Sequence, residues 1–159
     1  MKAKILLLTF VFSIALFSQT KNKKTGSVVF IHPDGTALAD WNALRIITVG
    51  PDSEINWDKL SGIGLYQGHI KNRITSSSNA GATIHAYGIK VDLDVFGMDN
   101  GDIPTALSGK KLSIMQEAKS SGVFTGIINS GSIIEPGTAV FVSSDTKRAH
   151  YEAITKMVI

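Results

Sequence analysis

A chain of 159 residues is long enough for one domain with a core of its own and hardly for two. Hydrophobic residues at 43% and charged residues at 18% describe a globular chain, which excludes the disordered and fibrous classes. The formal charge is +3, of which Lys2 and Lys4 contribute two units, so the chain without them carries about +1 and no basic footprint for nucleic acid. There is no cysteine, hence no disulfide framework and no thiolate metal site. Any bound metal must be held by carboxylates, imidazoles and hydroxyls.

Lys2 and Lys4 precede an apolar run from Ile5 to Phe17, followed by Ser18, Gln19 and a polar, lysine-rich stretch. That layout predicts a secretory signal peptide over residues 1–18 and a polar linker over 19–25, with the remaining domain at 26–159. The apolar run is shorter than the roughly 20 residues a membrane span needs. A secreted or periplasmic protein with no stable membrane anchor after cleavage is therefore expected.

Ser27-Val-Val-Phe-Ile31 is a β-branched apolar run, and its continuity predicts a strand buried on both faces, as in a parallel sheet. His32-Pro-Asp-Gly-Thr36 turns the chain and leaves Asp34 just past the strand's carboxyl end, where ligand groups collect in open α/β sheets. Ala37 to Val49 places Leu38, Trp41, Leu44 and Thr48 at helical spacing, and Gly50-Pro51 stops it. Asn56 to Leu60 predicts a short helical turn, and Gly64 to His69 an alternating strand.

Thr75-Ser-Ser-Ser-Asn79 then leads into a segment with Ala80, Thr83, Ile84 and Tyr87 at helical spacing. A serine at such a junction either caps the helix or presents its hydroxyl beside unpaired N–H groups that favour an anion. Val91 to Lys111 reads as a long loop, and Ser113 to Gly122 as a helix with serine at its start and glycine at its stop. Val123 to Asn129 predicts the next buried strand, Glu135 to Thr138 a turn, and Lys147 to Ile159 a final helix. Helix, glycine and apolar strand in succession fit the second half of a βαβ unit.

Asp34, the serines before Asn79 and the Glu135/Thr138 turn all lie at predicted element junctions. Together they would offer a carboxylate, a hydroxyl nucleophile and further hard oxygen ligands at one sheet edge. His32, His69, His85 and His150 lack metal-ligand spacing and read as surface or locally bonded histidines. There is no Walker loop, no GxGxxG and no GxSxG elbow.

Ile31-His-Pro-Asp-Gly-Thr36, Ser76 to Lys90, Ala106-Leu-Ser-Gly109, Ser113 to Lys119 and Ser130 to Phe141 together, in that order, resemble the bacterial alkaline phosphatase family. The resemblance spans about residues 26–159. It implies an α/β fold, a mostly parallel sheet flanked by helices and incomplete here, representing the N-terminal portion of the catalytic domain. It also implies hydrolysis of small phosphate monoesters through a phosphoserine intermediate, two Zn²⁺ ions and one Mg²⁺ ion. By residue, the resemblance assigns Ser78 as nucleophile, Asp34 as metal ligand, Thr138 as magnesium ligand with Glu135 beside it, and Arg148 as phosphate clamp. Ser77 stands where the family often has aspartate and rivals Ser78. Gly137 competes with Glu135 and Thr138 for the magnesium corner, and Lys147 competes with Arg148.

The zinc ligands of the family extend beyond the residues matched here, so the isolated chain is expected to be inactive or nearly so. The alternative is a non-catalytic fragment that keeps at most a phosphate- or metal-binding surface. A related sulfatase would need a Cys/Ser-x-Pro-x-Arg motif that is absent, and a phosphodiesterase remains distinguishable only by substrate. A homodimer fits a full-length member of the family.

Overall fold

The computed structural model describes residues 26–71, 73–93 and 95–159, so the expected signal peptide and linker lie outside the described residues. The chain divides into two units, one ending at Ile31 and the other running from His32 to Ile159. Of the first unit, residues 26–31 carry no regular secondary structure and are exposed, with Val28 at 95%. The burial expected for this segment on both faces is not observed.

In the second unit, helix α1 spans Leu38–Thr48. Asp40 reaches back to accept the Ala37 N–H at 2.7 Å, which satisfies one of the donors that a helix start leaves over. Arg45 then clasps the helix to the 3₁₀ turn Asn56–Lys59. Its two terminal nitrogens meet the Asp58 carboxylate at 2.5 and 2.8 Å, and one also donates to the Ser53 carbonyl at 3.1 Å. Asp58 accepts in turn from the Ile55 N–H at 2.9 Å. The Trp41 and Trp57 rings stack beside this clasp, 5.3 Å apart and 6° from parallel. Bonded to Arg45, the Asp58 carboxyl is held below its ordinary pKa, and the guanidinium is pushed up.

Helix α2, Ser78–Tyr87, is the centre of the unit. Ser77 caps it, its Oγ accepting the Ala80 N–H at 3.2 Å. Gly88 ends it at φ +70°, its N–H bonded to the Ile84 carbonyl at 2.8 Å, with Leu107 packed where a Cβ would sit at 3.1 Å. One side of α2 gives Ala82, Ala86 and Tyr87 to a core with Phe96, Ala106, Ala139, Val140 and Ile154. The other gives Ala80 and Ile84 to a smaller cluster with Ile70 and Val91. The alanines let neighbouring backbone come close, and the helix packs mainly on the short helix α4, Pro136–Ala139.

Helix α3, Ile114–Ser120, starts as its sequence predicts. Ser113 Oγ accepts the Gln116 N–H at 3.1 Å, and Gln116 Oε1 accepts the Ser113 N–H at 2.9 Å. The Ser113 hydroxyl donates to the Phe141 carbonyl, tying this start to the chain just after α4. Helix α5, Tyr151–Val158, buries Ile154 in the main core. No helix among the described residues is long and apolar enough to cross a membrane.

The sequence reading fails on its strands. Among the described residues there is no sheet, only single bridges between Ile70 and Arg73, Phe96 and Asp145, and Asp99 and Asp102. Val123 to Asn129 forms no strand and is largely exposed, with Phe124 at 103% and Ile128 at 97%. A parallel strand gains its stability from neighbours distant in sequence, and neither β-propensity nor apolar continuity supplies those neighbours. Gly64 to His69 is likewise not a strand. Its end is held by Lys90, which donates to the carbonyls of His69 at 2.7 Å and Gln67, and by Tyr66 packed on His85. The parallel sheet of the expected architecture is thus not seen among the described residues: α2, α4 and α5 build the main core together with Phe96 and Ala106 from the intervening loop.

The described residues between Val91 and Lys111 form no helix or sheet, as expected, and are held by Asp99 and Asp102. Asp99 and Asp102 exchange backbone bonds at 2.8 and 3.2 Å around Asn100 and Gly101, both at positive φ. Lys71 meets Asp99 at 2.5 Å, and Lys111 pairs with Asp102.

Two outcomes follow from these local bonds. Ser77→Ala should lower stability by about 1 kcal/mol through loss of the cap, whereas Ser78→Ala, at an exposed first-turn position, should change it by less than about 0.5 kcal/mol in the same melts. Asp58 has a folded pKa below its unfolded value, so its contribution is present above about pH 4 and lost as pH falls further. Asp58→Asn should therefore lower the melting temperature near neutral pH, and the gap to the parent chain should close in acid.

Candidate active site

Ser78 occupies the first helical position of α2, and its side chain is exposed. Ser77 is the residue committed to structure: its Oγ takes the Ala80 N–H, and its carbonyl takes the Gly81 N–H at 2.8 Å. That leaves the amides of Ser78 and Asn79 at the positive end of the helix, where no helical carbonyl can reach them. A hydroxyl set among such amides faces the environment that best accepts a phosphoryl oxygen.

Arg148, Glu135 and Thr138 come together around the start of α4. Glu135 is the residue before its first turn, and its carboxylate pairs with Arg148 across thirteen positions of sequence. Thr138 Oγ1 accepts from Asn129 Nδ2 at 2.7 Å and donates to the Glu135 carbonyl at 3.2 Å. Pro136 at the first helical position gives up no hydrogen bond there and fixes φ for the turn. The side chains of Arg148 and Glu135 are 42% and 47% exposed, so the guanidinium is neutralised but open to solvent. Lys147, its rival by sequence, is exposed, with its backbone N–H bonded to Asp145 at 3.0 Å.

Asp34 lies in the exposed turn before α1, with Gly35 at φ +66°. Among the described residues no hydrogen bond or ion pair ties its carboxylate to Ser78, Glu135 or Arg148. The turn is tied to α2 and α4 by His32, two residues earlier. The His32 ring meets His85 of α2 edge to face, 4.9 Å between centroids, and lies 3.5 Å from where a Cβ on Gly137 would stand. Burial on α2, and then the charge of His32, hold the His85 imidazole below its ordinary pKa. His32 thus joins the Asp34 turn to both α2 and α4. The sequence reads these histidines as surface or locally bonded, and only the i-to-i+53 pairing of the two rings reveals the joint.

A second feature was not legible in the sequence. Asp145 bonds His150 Nδ1 at 2.6 Å, accepts the Lys147 N–H and donates its own N–H to the Phe96 carbonyl at 2.9 Å. These bonds frame the turn that carries Arg148. The backbone bond from Lys147, then the contact with His150, keep the Asp145 carboxyl below its ordinary value against the cost of burial.

The donor set tests the implied metals only in part. Asp34, Glu135 and Thr138 are hard oxygen donors of the kind that suits magnesium. Among the described residues, no group of three His, Cys, Asp or Glu side chains converges on a metal-sized site, so a two-zinc centre is not assembled from them.

Comparison with curated proteins finds no match for the chain. The sequence profile of the alkaline phosphatase family, in contrast, matches residues 26–158, which take in α1 to α5, the Ser78 helix and the Glu135–Arg148 pair. On that match, the chain belongs to the alkaline phosphatase family.

Proposed function

We propose that the protein is a secreted, metal-dependent phosphomonoesterase that acts through a phosphoserine on Ser78. Family membership brings an α/β fold and the hydrolysis of phosphate monoesters. The observation that carries the assignment to Ser78 is the division of labour at the start of α2. Ser77 is spent on the cap, and Ser78 stands exposed among uncommitted amides.

In this reading the Ser78 hydroxyl loses its proton and forms an Oγ–P bond as the ester P–O bond breaks and the alcohol departs. Water then cleaves the Oγ–P bond, releases inorganic phosphate and restores the hydroxyl. Arg148 supplies a planar fork for two equatorial phosphoryl oxygens, a geometry that a lysine cannot match. Before substrate arrives its charge is balanced by Glu135. Asp34, Glu135 and Thr138 would hold a magnesium ion. Of the turn residues, Gly137 has no side chain to offer, while Glu135 and Thr138 bring a carboxylate and a hydroxyl. Bound metal supplies Lewis-acid stabilisation of charge on the phosphoryl oxygens. The signal-like residues 1–18 would place this chemistry outside the cytoplasm.

A second reading, phosphate or metal binding without turnover, is favoured by the engagement of the histidines. His32 packs on His85, and His150 on Asp145, which leaves few imidazoles for zinc.

Ser78→Ala in the full-length protein should abolish turnover of a simple aryl phosphate, while Ser77→Ala should keep it within about tenfold. Acid quenching and peptide mapping should find the phosphoryl group on Ser78; phosphate on Ser77 would sink the assignment. The 159-residue chain alone should keep less than about one zinc per molecule after dialysis against metal-free buffer. Stoichiometric zinc with turnover would remove the second reading.

A further inference from the structure

The turn that carries Arg148 is linked to the Ser78 helix by a continuous set of short bonds. Thr83, fully buried on α2, uses its Oγ1 to accept the Gly97 N–H at 2.9 Å. The same oxygen lies 2.8 Å from the Asn79 carbonyl and 3.2 Å from the Val95 carbonyl, so its one proton goes to the first or is shared. Gly97 has φ +64°, and a Cβ there would stand 2.7 Å from the Ser143 carbonyl, so the backbones of 95–97 and 143–145 are in direct contact. Phe96, fully buried between them, accepts the Asp145 N–H at 2.9 Å. The Asp145 carboxylate then holds the Lys147 N–H at 3.0 Å and His150 Nδ1 at 2.6 Å, bracketing Arg148 on both sides. Thr83 sits four residues after Asn79, about one helical turn on, and five after Ser78.

We propose that Thr83, Gly97 and the Asp145–His150 pair form a strut that fixes Arg148 relative to Ser78, which makes Asp145 a positioning residue for phosphate binding. The inference rests on Arg148 being the phosphate clamp. Glu135 alone cannot set the guanidinium, because a half-exposed ion pair is worth little and is surrendered when phosphate binds. The strut persists when that pair opens. It holds the arginine's backbone while its side chain changes partner.

The test uses the full-length protein with its metals and reads the inhibition constant of inorganic phosphate, which does not depend on how much of a preparation is active. Arg148→Ala should raise that constant by more than about tenfold, as expected for loss of a charged bidentate contact. Asp145→Ala and Thr83→Val should each raise it about fivefold, and Thr83→Ser, which keeps the hydroxyl, should restore it. Added to Arg148→Ala, Asp145→Ala should raise it no further than about twofold, because the strut acts through the arginine. An unchanged constant in Asp145→Ala beside a raised one in Arg148→Ala overturns the strut, as do effects that multiply. If Arg148→Ala itself changes nothing, the clamp reading fails and the strut with it. His150→Ala, at an exposed side chain, covers the case in which neither buried variant folds: about a threefold rise supports the strut, and no change overturns it.

Discussion

The hydroxyl of Thr83 is the polar bond around which the rest of the unit is packed. It lies on the most buried face of α2 and answers a backbone N–H and a backbone carbonyl at once. A buried amide such as that of Gly97 would cost about 1–3 kcal/mol if left without a partner. Valine in place of Thr83 would preserve shape and lose the bond. Because the hydroxyl is satisfied, residues 95–97 can cross α2 without a sheet to receive their backbone, and Phe96 can go fully inside. The Ser143 hydroxyl does similar work one layer away, bonding the Ala139 carbonyl at 2.7 Å. The core is therefore apolar in area and polar at its joints.

Local chemistry made the helices legible. The Ser113–Gln116 box, the Ser77 cap and the Gly88 and Gly122 stops each act within four residues, so the sequence that encodes them also displays them. The strands were not legible for the opposite reason. Val28 to Ile31 and Val123 to Ile128 carry β-branched and aromatic residues in abundance, yet a strand is a relation between segments. Among the described residues these segments pair into no sheet, and most of their apolar side chains are exposed. An extended, uncharged, apolar segment of that kind invites pairing with whatever edge is offered.

The candidate site divides in the same way. The serine run marked the right helix start, but only the bond from Ala80 to Ser77 separates the capping serine from the exposed one. Glu135 and Thr138 were visible as a turn, whereas the meeting of Glu135 with Arg148 joins two positions that no short-range rule connects. His32 and His85 are the clearest omission. Their spacing carries no ligand signature, and their role, holding the Asp34 turn against α2 and α4, is one of packing.

Exposure of the Glu135–Arg148 pair is consistent with a phosphate site better than burial would be. A buried guanidinium–carboxylate pair resists opening, because whichever partner is left behind pays its desolvation in full. A half-exposed pair surrenders about 1 kcal/mol or less, while a phosphate dianion offers Arg148 two parallel charged bonds in return. In the proposed site, exchange of Glu135 for phosphate would run downhill and would release the carboxylate to face a cation. The same logic explains why rigidity must come from the backbone. A side chain that gives up its partner so cheaply can be aimed only by the turn beneath it, and that turn is secured at Asp145.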